Sequence, residues 1–82
     1  MKPTTWKAYK KAHGIENYVN INAAGLENEG FQYLGYFYSS ITEETTATIV
    51  NNAIQQGEYT EVVYYTKPKG RRGDREIWIY AR

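Results

Sequence analysis

Arg75-Glu76-Ile77-Trp78-Ile79-Tyr80-Ala81-Arg82 decides the fold, because Ile77, Ile79 and Ala81 point one way while Glu76, Trp78, Tyr80 and Arg82 point the other. Period-two alternation of this kind predicts a strand whose aliphatic side meets a core. Upstream, residues 59–66 hold Tyr59, Val62, Val63, Tyr64 and Tyr65, an aromatic and β-branched cluster that predicts the strand before it. Between the two runs Lys67-Pro68-Lys69-Gly70-Arg71-Arg72-Gly73-Asp74, whose proline and two glycines exclude regular structure. The pair therefore reads as a hairpin closed by a flexible basic loop over residues 67–75.

Further out lies a helix signal. Thr42 is a capping residue, and Glu43 and Glu44 fall in the first turn, where the helix dipole favours negative charge. Ala47, Val50, Ala53 and Ile54 supply an apolar face with Ile49 beside it, and Gly57 ends the run. Thr45, Thr46 and Thr48 are weak helix formers, so packing on the sheet must hold this helix.

Residues 31–39, with Phe31, Tyr33, Tyr36, Phe37 and Tyr38, predict a strand. So do residues 15–24, where Tyr18, Val19, Asn20, Ile21, Asn22 and Ala23 alternate. The turn Gly25-Leu26-Glu27-Asn28-Glu29-Gly30 joins them as an antiparallel hairpin. At the amino-terminal end, Thr4 or Thr5 caps a short helix through His13; Trp6, Tyr9, Lys10 and His13 keep helical spacing, and Gly14 supplies the left-handed stop.

The expected architecture is thus an α+β fold in the order α-β-β-α-β-β: a four-stranded antiparallel sheet of two hairpins, one long helix on one face, and a short N-terminal helix. Residues 1–82 are expected to form one compact domain, since a chain of 82 residues buries only about 60% of its unfolded surface and has room for one thin core. One long helix covers one sheet face, so function is sought on the other, with Tyr18, Tyr33, Phe37, Tyr65, Trp78 and Tyr80 as its expected residues.

Charge is segregated. All ten Lys and Arg lie within residues 2–11 or 67–82, and the stretch from Ala12 to Thr66 carries seven Glu and no cation, although the formal net charge is only +1. Such a surface steers acidic partners to one side and basic partners to the other. With no cysteine there is no disulfide and no thiolate metal site, and no apolar run approaches the roughly 18 residues of a membrane span. Residues 1–7 lack the apolar stretch of a signal peptide, so a cytoplasmic location is expected.

Catalysis has little to work with. His13 is the only imidazole, Asp74 the only aspartate, and Ser39 and Ser40 the only serines, so a triad would need three distant regions to converge. One His without Cys does not make a zinc site of the usual type. No catalytic residue, metal or cofactor is expected. A ribonuclease using Arg71, Arg72, Arg82 and Tyr80 is chemically conceivable, yet its signal does not differ from that of an RNA binder.

Rings flanked by cations suit single-stranded RNA or DNA, with bases stacking on the rings at about 1–3 kcal/mol each while cations neutralise phosphates. The expected interface is Lys67, Lys69, Arg71, Arg72, Arg75, Trp78, Tyr80 and Arg82. The plainer alternative packs these rings beneath the N-terminal helix, under Trp6 and Tyr9. A competing function is protein binding, by self-association as a dimer or by inhibition, the acidic middle region occluding a nucleic-acid-processing complex. Its expected contacts are Glu27, Glu29, Glu43, Glu44, Tyr33 and Phe37. Arg72-Gly73-Asp74 matches an integrin-binding tripeptide, and nothing else in the chain supports that reading.

Overall fold

A computed structural model describes residues 3–16, 20–39, 43–55, 57–69 and 74–82, with the side chains of Ser39, Glu43, Glu44, Thr45, Thr46 and Lys69 outside the described set. The elements are β1 (Thr4–Thr5), α1 (Trp6–His13), two 3-10 turns (Ile21–Ala23 and Leu26–Glu29), β2 (Gln32–Ser39), α2 (Glu43–Ile54), β3 (Val62–Lys69) and β4 (Asp74–Ala81). They build an α+β fold with a four-stranded sheet and two helices.

The strand at 74–81 is the centre of the sheet, whose order is β1-β3-β4-β2. It pairs antiparallel with β3, setting Tyr65 opposite Trp78, and with β2, setting Tyr36 opposite Trp78. Both neighbours therefore run the same way, and a tight hairpin cannot join them. Residues 40–61, including α2, make that crossover. β1 adds a parallel pair, Thr4 with Val63 and Thr5 with Tyr64, so the sheet is mixed and the all-antiparallel expectation is corrected.

Among the described residues the expected first hairpin does not form. In place of a strand over residues 15–24, the Asn20 side chain accepts a hydrogen bond from the Asn22 amide at 2.9 Å and opens a 3-10 turn. Asn side chains satisfy nearby backbone groups in this way and compete with a strand ladder. Only Ile21 of that turn and Leu26 of the next are buried, so the described part of this segment is anchored by Ile21 and does not form a half-buried strand. Tyr18 and Val19 lie outside the described residues.

The β3–β4 hairpin is longer than expected. Pro68 sits opposite Arg75 and Lys69 opposite Asp74, leaving residues 70–73 between the strands. Pro68 is accommodated because β1 reaches only Val63 and Tyr64, so that part of β3 is a sheet edge.

α1 forms as its sequence implies. The Thr5 hydroxyl accepts from the Ala8 amide at 3.2 Å, and Gly14, at φ 67°, ends the helix with its amide on the Lys10 carbonyl. Trp6 and Tyr9 descend into a core with Ile21, Leu26, Phe31, Val63, Trp78 and Tyr80. Tyr9 meets Phe31 edge-on at 5.9 Å. On the opposite face, Val50 of α2 is buried with Val62, Ile77, Ile79 and Ala81, while Ile49, Ala53 and Ile54 pack against that cluster. Ala47, expected on the apolar face of α2, is exposed. The expected cap Thr42 lies outside the described residues.

Both sheet faces are thus covered, by α1 with the two turns on one side and by α2 on the other. No helix among the described residues is long and apolar enough to cross a membrane.

Candidate functional site

The two edges of the sheet are unlike. Beyond Tyr64, the outer side of β3 presents Lys67 and Pro68, residues that discourage a further strand. The other edge is β2, Gln32-Tyr33-Leu34-Gly35-Tyr36-Phe37-Tyr38-Ser39, which contains no charged residue and no proline. Among the described residues its only strand neighbour is β4.

Gly35 sets the faces of β2. The register slips between Tyr33 and Gly35, and Gly35 takes φ 132°, a region open to glycine and strained for other residues. One residue is thereby absorbed, so Tyr33 and Tyr36, three apart, share a face, and Tyr38 follows them. These are the large exposed apolar residues among those described, at 41%, 44% and 50% exposure. Phe37, expected beside Tyr33, faces α2 instead; simple alternation fails across the bulge. There it lines a groove of about 440 Å³ with Leu34, Ile49, Asn52, Ala53 and Tyr59. The edge strand is therefore apolar on both faces.

The exposed rings are held in place. Tyr36 lies against Trp78 at 5.4 Å and its hydroxyl donates to Glu76 Oε1 at 3.1 Å. Tyr38 donates to Asp74 Oδ2. Tyr33 packs on Tyr80 at 5.1 Å. Lys67 Nζ stands 5.6 Å above the Trp78 ring and 3.4 Å from Glu76 Oε2, and Tyr65 flanks Trp78 on the far side.

Of the described residues expected to hold nucleic acid, Lys67 and Trp78 are brought together and the others are not. Trp78 and Tyr80 are 9% and 4% exposed, buried beneath α1 and the exposed tyrosines, so they do not form an open stacking platform. Arg75 lies on the α2 face, its Nη2 donating to Thr66 Oγ1 at 3.2 Å. Arg82 sits at the opposite end of β4 from the loop, where Glu61 pairs with it at 2.8 Å, the Glu29 carbonyl accepts from its Nη1, and the Phe31 ring lies beneath it. Arg71 and Arg72 lie outside the described residues, as does the Lys69 side chain.

Of the expected acidic contacts, Glu27 and Glu29 are exposed beside the amino-terminal end of β2, and the side chains of Glu43 and Glu44 are not described. Sequence reasoning missed Tyr36 and Tyr38, and with them Asp74 and Glu76. The signal was Gly35, an isolated glycine inside an aromatic strand, which marks a bulge.

Burial raises the Tyr9 phenol above its ordinary value, with Glu61 and Glu29 adding to the shift and Arg82 opposing it. Tyr80 is raised too, first by burial and then by Glu27 and Tyr33; its hydroxyl donates to Asn22 Oδ1 at 2.6 Å. Both are therefore neutral structural phenols at physiological pH. Among the described residues no group of three His, Asp or Glu gathers as a metal site.

No family model matches the chain, and no curated protein or solved structure matches it either.

Proposed function

We propose that this chain is a non-catalytic protein-binding module that engages its partner along β2. The observation that carries this reading is the coincidence of the exposed Tyr33, Tyr36 and Tyr38 on an uncharged edge strand. Edge strands bind by adding a strand through main-chain hydrogen bonds, with alternate side chains giving specificity. Tyrosine is enriched where interfaces concentrate their energy, and rings already tethered by Glu76 and Asp74 lose little freedom on binding. The same carboxylates would repel a phosphate backbone brought to these rings.

The test is capture from a cell extract by tagged protein, with and without nuclease, repeated with Tyr36→Ala/Tyr38→Ala. Partners retained through nuclease treatment and lost in the double variant are the expected result. Loss of every partner on nuclease treatment contradicts it.

A second reading is favoured by Lys67, which stands over Trp78 beside Tyr36 and Tyr65 and is followed in sequence by Lys69, Arg71 and Arg72. Here the exposed tyrosines take the stacking role, and the basic hairpin follows an RNA or DNA backbone. Tryptophan fluorescence titrated with single-stranded RNA, single-stranded DNA and duplex DNA at rising salt tests it. Steeply salt-dependent binding supports this reading, and no binding at low salt removes it. An inhibitory role for the acidic surface is probed by charge reversal at Glu27 and Glu29.

A further inference from the structure

We infer that the occupant of the β2 edge is a second copy of this chain, paired antiparallel about a two-fold axis at Phe37; the inference rests on the protein-binding reading above. The bulge ends regular pairing at Gly35 and the strand ends at Ser39, leaving a regular stretch whose midpoint is Phe37. Directly opposed residues of an antiparallel pair share a face. The axis therefore sets Phe37 against its own copy, and Tyr36 against Tyr38 of the other copy, twice.

The faces then match. Tyrosine meets tyrosine on the α1 side, and on the α2 side the two Phe37 rings meet where each groove with Leu34 and Ile49 opens. The strand carries no charge, so like meets like without repulsion.

Charge around the strand favours the same arrangement over a parallel one. The Gln32 end of the sheet holds Glu27, Glu29 and Glu61 against Arg82. At the Ser39 end Lys67 and Arg75 balance Asp74 and Glu76. Antiparallel pairing turns the balanced end of each copy toward the acidic end of the other, whereas parallel pairing would set the two acidic ends together. The two sheets join into one of eight strands, with each former open edge at its centre. A contact of so few residues lies at the small end of stable interfaces, so a dissociation constant in the micromolar range, on the order of 10 μM, is expected.

Sedimentation of the purified full chain across the micromolar range tests the pairing. The expected mass rises with concentration from 9.5 kDa toward twice that value; a single 9.5 kDa species throughout overturns the inference. The chain has no cysteine, so a single introduced thiol reports the axis. Phe37→Cys should crosslink to itself rapidly with a short bifunctional thiol reagent, and Tyr33→Cys, far from the axis, at least tenfold more slowly. Equal rates overturn the register. If Phe37→Cys does not fold by circular dichroism, mixing Tyr36→Cys with Tyr38→Cys reads the same axis from exposed positions: preferential linkage between the two variants is expected, and its absence overturns the assignment. A chain that stays monomeric while nuclease-resistant capture still depends on Tyr36 and Tyr38 overturns self-pairing and leaves the protein-binding reading standing.

Discussion

β2 and β3 flank the same central strand, yet one ends the sheet with guards and the other without. The outer side of β3 is covered at Val63 and Tyr64 by the two residues of β1, and beyond them come Lys67 and Pro68. β2 has neither charge nor proline, and it carries the exposed tyrosines. An unguarded edge is an aggregation hazard unless something pairs with it. The contrast within one sheet teaches that openness at β2 is local, because the same chain deploys the usual protections on the other side.

Breaking the guarded edge should have the largest effect. Trp6 is 1% exposed and anchors α1, and with it β1, against β3. Trp6→Ala is expected to cost about 3–5 kcal/mol, a large part of a small domain's stability, read as a lower urea midpoint. Aggregation should accompany it, since β3 loses its cover.

Next is the bulge. A Cβ at Gly35 would lie 3.7 Å from the Phe37 ring, an ordinary contact, so the cost of Gly35→Ala comes from φ 132°. About 1–3 kcal/mol is expected in denaturant unfolding. Relief of that strain by removing the bulge would turn Tyr33 or Tyr36 to the other face, which the altered environment of Trp78 would report by fluorescence.

Giving β2 a guard sharpens the comparison directly. Tyr36→Lys is expected to weaken self-association about tenfold or more, equivalent to about 1.4 kcal/mol, in sedimentation. Folding should be largely retained, because Tyr36 is exposed.

The covered rings differ from the exposed ones in their alkaline behaviour. Tyr9 and Tyr80 have folded values above the ordinary tyrosine value of about 10. Below that pH both states hold the protons and stability is complete. As pH rises through it the unfolded chain loses protons first, so stability falls until the folded values are passed. Tyr80→Phe should cost about 1 kcal/mol at neutral pH through the lost bond to Asn22, and should make the alkaline decline shallower. Urea unfolding at stepped pH measures both.

The smallest effect belongs to Lys67, whose half-exposed ammonium pairs with a largely covered Glu76 that Tyr36 also holds. Lys67→Ala should change stability by about 0–1 kcal/mol, while making the β3 edge more prone to aggregate on long incubation.

Much of this was legible in the chain. The alternation of residues 75–82 placed Ile77, Ile79 and Ala81 under α2, and Thr5 and Gly14 marked the ends of α1, because each signal is local. Residues 15–24 misled because Asn20 and Asn22 satisfy the backbone through a turn that looks, in polarity alone, like alternation. The pairing of Thr4 and Thr5 with β3 left no mark, since two residues carry no period. At the site, Tyr33 was placed on the exposed face, but Phe37 was not interchangeable with Tyr36 and Tyr38. One glycine reversed the parity of everything after it, and only the register with β4 reveals which way.

The most direct test is amide hydrogen exchange across residues 35–39 and 65–68 in dilute and in concentrated protein. Slower exchange in β2 at high concentration, with β3 unchanged, is the result predicted for an open edge that pairs with its own copy. Exchange in β2 that does not depend on concentration, or protection that appears at the β3 edge instead, would contradict it.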